Sequence, residues 1–414
     1  MFEDILKYLS IPVVAGVIGW FTNKVCIIMT LRPIEFIGIK PPYLGWQGII
    51  PARTGEVADS LTDVFMTKLL KVSEVFQRID PERLLKEMEP ALPAMIREIV
   101  NTLMLEQAPD VWVAMPLKVK EKVYEEVGRK APDAIRNFIR DIGDNIEDVF
   151  DLEAMLYETL TKDRKLLVSV FEEIGSNEFK FIVNSGGYFG FLFGTVQMFV
   201  WMVYQAAWIL PAVGILVGTI TNYLAIHMVF EPAKPVPIGP FKLFGRQLGP
   251  WILQGVFIKR RKEVAVDMGK VFAAEVMNPE NITRALLKGP ASDELFKLIE
   301  RQVKFVLDSQ TGWAKPFVTL TLGTKRYVAI RDRTIDQVID KIPYAMTHVS
   351  DYILEAIDVE SLLEEKIGQM SEEDFAGIMR PIFHKDEWKL VALGAVLGLG
   401  IGMGQLYWVW GGTL

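Results

Sequence analysis

The stretches "IGWFTNKVCIIMTLRP" (18–33) and "VGTITNYLAIHMVFEP" (217–232) decide the fold. Both follow the pattern Gly-x-x-Thr-Asn-x-x-x-Ile-x-Met-x-x-x-Pro, and both lie inside long apolar runs. A Thr-Asn pair is costly to bury in hydrocarbon unless its polar groups are hydrogen-bonded. Its double occurrence therefore indicates a duplicated unit in which the pair has a defined role.

Four segments are long and apolar enough to cross a membrane. Residues 181–230 and 390–414 contain no Asp, Glu, Lys or Arg. About 20 apolar residues in a helix span a hydrocarbon core of roughly 30 Å. We predict transmembrane helices at about 9–31, 185–206, 209–230 and 390–410. The acidic leader "MFEDILKYLS", with no small-residue cleavage site after it, argues against a cleavable signal peptide.

The match between the two halves continues beyond the Thr-Asn motif. At an offset of 199 residues, the matching positions are Pro12, Gly19, Thr22, Asn23, Ile27, Met29 and Pro33 with Pro211, Gly218, Thr221, Asn222, Ile226, Met228 and Pro232. At an offset of 207, they are Gln47, Gly48, Arg53, Glu56 and Val57 with Gln254, Gly255, Arg260, Glu263 and Val264. We predict two tandem repeats, 1–207 and 208–414.

Small residues recur every fourth position in the last helix of each predicted repeat. In lipid, glycines at this spacing allow two helix backbones to approach closely. We expect these glycines to pack against the Thr-Asn helices. The residues are Gly186, Gly190 and Gly194 in repeat one and Gly394, Gly398 and Gly402 in repeat two.

Two crossings per repeat give both repeats the same orientation, so the repeats are predicted to be parallel. Basic residues cluster near the ends that adjoin the polar regions, which places those regions in the cytoplasm and both termini outside. The predicted fold is an all-α integral membrane protein with two parallel tandem repeats. Each repeat has two transmembrane helices flanking a helical cytoplasmic domain, at 53–180 and at 259–388.

The polar regions show the period of amphipathic helices. One stripe in repeat one returns in repeat two with the spacing i, i+4, i+7, i+8, i+12. Such a stripe suits the core of a helical bundle, and the same residues would also suit a lipid-binding tunnel. The stripe is Val57, Leu61, Val64, Phe65 and Leu69, repeated as Val264, Met268, Val271, Phe272 and Val276.

The Thr-Asn pairs have two interpretations. Thr22, Asn23, Thr221 and Asn222 either hydrogen-bond across helix pairs, or line a polar site for a headgroup or a solute. Lys24 and His227 join this candidate membrane site, although their counterparts at the offset of 199 are Tyr223 and Ile28. The ammonium group of Lys24 is close enough to the helix end to reach the interface.

The loops 33–52 and 232–258 are too rich in proline for helices and too apolar for free loops. Their tryptophans suit the headgroup zone. We interpret the loops as interfacial segments that either anchor the helical domain to the membrane or form the wall of a lipid-sized pocket. Their basic residues favour anionic headgroups. The candidate residues are Trp46, Gln47, Arg53, Trp251, Gln254, Lys259, Arg260 and Arg261.

Several function classes lack support in the sequence. Cys26 is the single cysteine, and the three histidines have no companions at metal-ligand spacing. The chain shows no glycine-rich phosphate loop, nucleophile elbow or paired transmembrane carboxylates. Its net charge of −7 and the lack of a basic stripe argue against nucleic acid. We expect no enzyme activity, no cofactor and no metal.

The Gly-x-x-Thr-Asn helix, the exit Arg-Pro and the loop ending "GWQGIIPAR" resemble the bacterial domain-of-unknown-function 445 family. The second half matches less well, with Glu231 in place of Arg32 and a longer loop. The resemblance implies a bacterial membrane location and no established activity.

The leading hypothesis is a non-enzymatic inner-membrane protein that binds lipid or organises the cell envelope. Its expected partners are membrane lipids, anionic ones included, and a second copy or other membrane proteins. A transporter or channel with a polar path at the repeat interface is one alternative. A structural scaffold for a membrane complex is another.

Overall fold

A computed structural model describes residues 2–41, 44–239, 241–243, 246–248, 250–310, 324–384 and 387–410. Positions 42, 43, 240, 244, 245 and 249 of the two predicted interfacial loops lie outside the described residues. Within those residues the chain is mainly helical, with three small antiparallel sheets of two strands each.

The described residues contain four helices that are long and apolar enough to cross a membrane. We call them the first to fourth apolar helices, and they are Phe2–Leu31, Ser176–Val203, Ile209–Phe230 and Glu387–Trp410. The second begins nine residues before the predicted start at 185 and ends before the predicted end at 206. Hydropathy detects only its apolar part, whereas the helix also includes the polar turn that precedes it.

The apolar helices form two antiparallel pairs, the first with the second and the third with the fourth. In the first pair Gly19 lies against Gly186, and Ala15 lies against Gly190. In the second pair Gly218 lies against Gly394, and Leu210 lies against Gly402. A buried cluster at one end joins Ile11, Met198, Trp201, Ile209 and Leu210. The chain therefore leaves the opposite end of the bundle both after Leu31 and after Phe230.

The chain divides into two compact units, and each takes segments from both halves of the sequence. Unit one comprises Met1–Val64, Leu160–Val271 and Glu360–Leu414. Unit two comprises Phe65–Thr159 and Phe272–Val359.

Unit one adds the hairpins and a set of shorter helices to the apolar bundle. Its strands pair as Ile37–Lys40 with Leu44–Trp46, Val236–Ile238 with Trp251–Leu253, and Phe241–Leu243 with Arg246–Leu248. At three or four residues each, they are too short to show the alternation from which strands are predicted. Its shorter helices are Ile49–Ala52, Thr54–Val64, Arg164–Ile174, Val256–Lys259, Arg261–Val271 and Glu372–His384, with Leu152–Lys162 and Val359–Gln369 at its boundaries.

Unit two is helical throughout its described residues. Asp80 and Asn278 cap helices that begin with proline, and each side chain accepts a hydrogen bond from a backbone N–H of the first turn. One buried cluster contains Val149, Leu295, Leu298, Ile299 and Val303. The α-helices are Val72–Phe76, Pro81–Met88, Leu92–Gln107, Pro109–Ala114, Leu117–Asp144, Ile146–Val149, Pro279–Lys288, Ser292–Gln310 and Thr324–Ile357, and π-helical turns cover Phe65–Leu69 and Phe272–Val276.

Candidate functional site

Both Thr-Asn pairs are buried and bonded to helix backbones. The Asn23 amide donates to the carbonyl oxygen of Ile182 at 2.6 Å, and the Asn222 amide donates to that of Leu390 at 2.7 Å. Thr22 and Thr221 donate to carbonyls of the preceding turn of their own helices. Each asparagine therefore joins the two helices of one antiparallel pair, and this geometry favours the interpretation of the pairs as links between helices.

The two asparagines differ in their remaining contacts. Asn222 also donates to the Sγ atom of Cys26, 3.1 Å away on the first apolar helix. Asn222 therefore connects the third apolar helix to the first and to the fourth. The Sγ atom of Cys26 also lies 3.8 Å from the Leu390 oxygen. Ala225 occupies the position that matches Cys26 at the offset of 199 residues. The buried Oδ1 atom of Asn23 has no hydrogen-bond partner among the described residues.

The glycine stripes lie where the paired helices touch. A methyl group on Gly19 or on Gly218 would overlap a backbone oxygen of the opposite helix. The same holds for Gly186, Gly190, Gly394, Gly398 and Gly402, whereas Gly194 would meet the Ala15 side chain. Glycine is required at these contacts because the backbones leave no space for Cβ atoms.

The structure does not bring Lys24 and His227 together with the Thr-Asn pairs. Lys24 is exposed, and its ammonium nitrogen lies 4.8 Å from the centre of the Trp20 ring. The His227 ring lies against the Tyr223 ring at a tilt of 33°, and His227 lines a separate cleft near the end of the third apolar helix. The six residues predicted as one polar membrane site therefore occupy three different surroundings.

Each interfacial loop folds back on the helix that precedes it. The Gly48 N–H donates to the Pro33 oxygen at 2.9 Å, and the Gln47 amide donates to the Ile34 oxygen at 2.7 Å. The second loop repeats both bonds, since Gly255 donates to Pro232 and Gln254 donates to Ala233. The predicted Gln-Gly residues thus close the base of each loop.

The hairpins between these bases expose large apolar side chains. In the first hairpin Ile37, Ile39 and Leu44 are 67%, 90% and 60% exposed. In the second, Trp251 and Ile252 are 54% and 66% exposed. Trp46 differs from Trp251, since its indole N–H is buried and without a partner among the described residues. Such surfaces are unfavourable in water, and they mark sites of contact with a partner or a membrane.

Two ion pairs join each loop to a later helix, and their signs are opposite in the two halves. Arg32 pairs with Glu172 at 2.9 Å, and Glu35 pairs with Arg164 at 3.1 Å. In the second half, Glu231 pairs with Arg380, and Lys234 pairs with Glu373 at 2.7 Å. Glu231 occupies the position that matches Arg32. The change from a basic to an acidic residue at this position is accompanied by a change of its partner from Glu172 to Arg380.

The basic residues after the loops have different roles. Arg260 bonds to Glu178 and to Glu263, each at 2.6 Å, and Glu178 is buried at the start of the second apolar helix. Burial lowers the pKa of the Arg260 guanidinium, but its bonds to Glu263 and Glu178 outweigh that effect and hold its pKa above the ordinary value.

Arg260 is therefore engaged by the buried Glu178 carboxylate, and its contact with lipid headgroups stays a prediction. Arg53 pairs with Glu56, and the Nε atom of Arg261 is buried. Lys259 remains exposed. Sequence reasoning missed Glu178, although an acidic residue three positions before an uncharged run of 50 residues was a usable signal.

A cleft of about 720 Å³ opens where the third apolar helix ends. Its walls come from that helix, from the start and the end of the second loop, and from helix Glu372–His384. The lining residues are His227, Met228, Phe230, Glu231, Pro232, Ala233, Leu253, Ala376, Gly377 and Arg380. The described residues contain no group of three or more His, Cys, Asp or Glu side chains that could hold a metal ion.

Several curated bacterial membrane proteins are similar to this chain. The UPF0754 membrane protein YheB of Bacillus subtilis is 28% identical over 182 residues, which are 43% of this chain and 46% of YheB. The UPF0754 membrane protein of Exiguobacterium sibiricum is 26% identical over 129 residues, 31% of this chain and 30% of that protein. That of Bacillus pumilus is 34% identical over 91 residues, 22% of each chain. The match thus spans less than half the length of these relatives.

The names of these relatives state a membrane location and no activity. Together with the four apolar helices, the similarity indicates that this chain is a membrane protein of a bacterial type. No protein-family model matches the chain, so the resemblance to the domain-of-unknown-function 445 family stays a prediction. No solved structure matches it either.

Proposed function

We propose that this protein is a non-enzymatic membrane protein that binds lipid at the cytoplasmic surface of the inner membrane. The exposed apolar hairpins are the observation that carries the proposal. Each hairpin follows directly on a helix that can span a membrane, and its closed base holds it against the end of that helix. The exposed isoleucine, leucine and tryptophan side chains are then positioned for the acyl boundary of the bilayer.

The energetics support insertion of the hairpins. Moving one fully exposed isoleucine or leucine side chain from water into apolar surroundings is favourable by about 1.5–3 kcal/mol. Trp251 suits the headgroup zone, where an aromatic ring with a polar N–H settles. Two hairpins act together, because both belong to the unit that contains the apolar helices.

The proposal includes a duplicated architecture with parallel repeats. It is supported by the equivalent bonds of Asn23 and Asn222, by the equivalent loop closures at Gly48 and Gly255, and by the sign-reversed ion pairs. The cytoplasmic placement rests on the basic residues near the helix ends. An exposed cysteine introduced as Asp293→Cys should react with an impermeant maleimide only after the cells are opened. Labelling in intact cells would contradict this orientation.

Depth measurement tests the hairpin proposal. In a Cys26→Ala background, the variant Ile39→Cys carries an environment-sensitive fluorophore in the full-length protein reconstituted in phosphatidylcholine vesicles. We expect a blue-shifted emission that is quenched by lipids with a nitroxide near the top of the acyl chain. The background is mild, since Ala225 already occupies the matching position in the second half.

The matched control is Glu89→Cys, which places the same label on an exposed polar position of unit two. Its emission should stay that of a water-exposed label, with no quenching by lipid-borne nitroxide. A label at position 39 that behaves like the label at position 89 would overturn membrane insertion of the hairpin, and the proposed function with it.

The alternative of a polar path at the repeat interface has less support. A transport site would need the amides of Asn23 and Asn222 to be free for a solute. Both amides instead donate to backbone oxygens of the neighbouring helix.

A further inference from the structure

The cleft at the end of the third apolar helix combines an apolar wall with one charged pair. Met228, Phe230, Pro232 and Leu253 supply apolar surface. Its size lies within the range of about 300–1,000 Å³ that is typical of small-molecule sites. It opens beside the end of a helix that can span a membrane. Lipid headgroups would surround this end of the helix, so a lipid is the expected ligand. This inference rests on the proposed lipid-binding function and specifies one lipid for one place.

The charged pair leaves groups available for a ligand. Arg380 donates from Nη1 to the Oε1 atom of Glu231. Among the described residues, no other partner is seen for the remaining N–H groups of Arg380 or for Oε2 of Glu231. Both side chains are more than a third exposed and line the cleft. A guanidinium group binds phosphate well, and a carboxylate binds an ammonium group.

His227 adds a second acceptor. Its Nδ1 atom lies 3.1 Å from the Tyr223 carbonyl oxygen, which can only accept, so Nδ1 carries the proton. In the neutral ring, Nε2 is then an acceptor. The cleft thus offers donors at Arg380 and acceptors at Glu231 and His227.

We propose that this cleft binds the headgroup of a zwitterionic phospholipid that carries a primary amine, of the phosphatidylethanolamine type. The phosphate lies against Arg380, the ammonium group donates to Glu231 and to Nε2 of His227, and the first part of an acyl chain follows the apolar wall. The Arg380–Glu231 pair has no net charge, so the site has no preference for a net anionic headgroup. A choline headgroup cannot make the ammonium contacts, because its nitrogen has no N–H.

The site is specific to the second half of the chain. Ile28 occupies the position that matches His227 and supplies no acceptor. The Arg32–Glu172 pair also has the reversed sign, which exchanges the positions of the phosphate and amine partners. We therefore expect one such headgroup site per chain.

Competition between lipids tests the proposal. The full-length protein in mild detergent is equilibrated with an equimolar mixture of phosphatidylethanolamine, phosphatidylcholine and phosphatidylglycerol with identical acyl chains, and bound lipid is counted by native mass spectrometry. We expect phosphatidylethanolamine to be enriched about tenfold over phosphatidylcholine, which corresponds to about 1.4 kcal/mol. Equal retention of these two lipids would overturn the amine contacts, and preferential retention of phosphatidylglycerol would overturn the zwitterionic headgroup.

Two variants locate the binding. Gly377 lines the cleft, and a side chain added there meets open space, so Gly377→Trp should fold and should abolish the enrichment. Gly368 is also open but lies outside the cleft lining, so Gly368→Trp should keep the enrichment. Glu231→Gln with Arg380→Gln removes both charges and should also abolish the enrichment. Enrichment that survives in Gly377→Trp and in the double variant would place the lipid elsewhere and overturn the site.

These outcomes are separable from failure of the proposed function. Loss of headgroup preference in the wild-type chain, with the label at position 39 still in lipid, overturns the cleft alone. If the label at position 39 reports a water environment, hairpin insertion is overturned, whatever headgroup preference the protein shows.

Discussion

Phe65 and Phe272 stack ring on ring, with centroids 3.8 Å apart and planes inclined by 19°. They are the same position of the two halves, since each lies in the stripe that repeats at an offset of 207 residues. Contact between equivalent positions is the signature of a two-fold axis, because only residues near the axis meet their own counterparts. Each phenylalanine begins a π-helical turn, and both are almost fully buried. This relationship supports the proposed duplication and relates its two repeats by a local two-fold axis.

Truncation of either phenylalanine should destabilise the protein by a similar amount. We expect Phe65→Ala and Phe272→Ala each to lower the free energy of unfolding by about 3–5 kcal/mol, since each removes a buried ring and leaves a cavity. The double variant should lose less than the sum, because the first truncation already removes the stacking contact. Urea unfolding of the detergent-solubilised protein measures these values. If Phe272→Ala left the free energy of unfolding unchanged, the result would contradict packing of both rings at an axis that the two repeats share.

The reversed ion pairs predict a charge-exchange experiment. Arg32→Glu should place two carboxylates together and lower stability, and Arg32→Glu with Glu172→Arg should restore it. The coupling should be about 0.5–1 kcal/mol at low salt, because both side chains are partly exposed, and it should fall in high salt. Glu231→Arg and its rescue by Arg380→Glu form the matched cycle in the second half. If the double variant were as unstable as the single variant, the result would show that the ion pair does not stabilise the protein.

Glycine contacts in the fourth apolar helix can be tested within one helix. Gly398→Ala should destabilise the pair of helices by about 1–3 kcal/mol, since the new methyl group overlaps the Gly214 backbone oxygen. Gly400→Ala, two residues away, meets nothing within 4 Å and should be neutral or slightly stabilising. Thermal unfolding in detergent compares the two. Equal effects would argue against close backbone packing at Gly398.

Replacement of the asparagines tests whether they link helices. Asn222→Leu should cost about 0.6–2 kcal/mol, the range of a hydrogen bond between membrane helices. We expect a smaller effect from Asn23→Leu, because the substitution also removes the unpartnered buried oxygen of Asn23. Surviving protein should keep its lipid-binding behaviour. Full stability combined with lost lipid binding in the double variant would instead support a ligand site at the Thr-Asn pairs.

Glu178 and Arg260 form a largely buried ion pair at the start of the second apolar helix. Glu178→Ala should destabilise the protein by about 2 kcal/mol, less than the roughly 3–5 kcal/mol of a fully buried pair, because Arg260 is partly exposed and keeps Glu263 as a partner. Glu178→Gln should lose less, since the amide oxygen can still accept from the guanidinium group. If Glu178→Ala were as stable as the wild type, the pair would not hold the second apolar helix to helix Arg261–Val271.

Sequence reasoning predicted the apolar helices because hydropathy is a local property, and the first and third helices end within a residue of the predicted positions. It also predicted that Gln47 and Gln254 matter, without their role, since a loop closure depends on which carbonyl the folded chain presents. Lys24 was grouped with Asn23 because they are adjacent in sequence, yet neighbouring residues on a helix point about 100° apart.

The sequence by itself determined four membrane-length helices, a repeated Thr-Asn motif and glycine stripes at helix-packing spacing. These features follow from runs and periods within one segment or between matching segments. Only the tertiary structure decided which charges meet, that Arg260 is held by Glu178, and that His227, Glu231 and Arg380 border one cleft. The Arg260–Glu178 and Arg380–Glu231 pairs join residues 82 and 149 positions apart, and the hydrophobic pattern that drives folding is non-directional and does not specify individual polar partners.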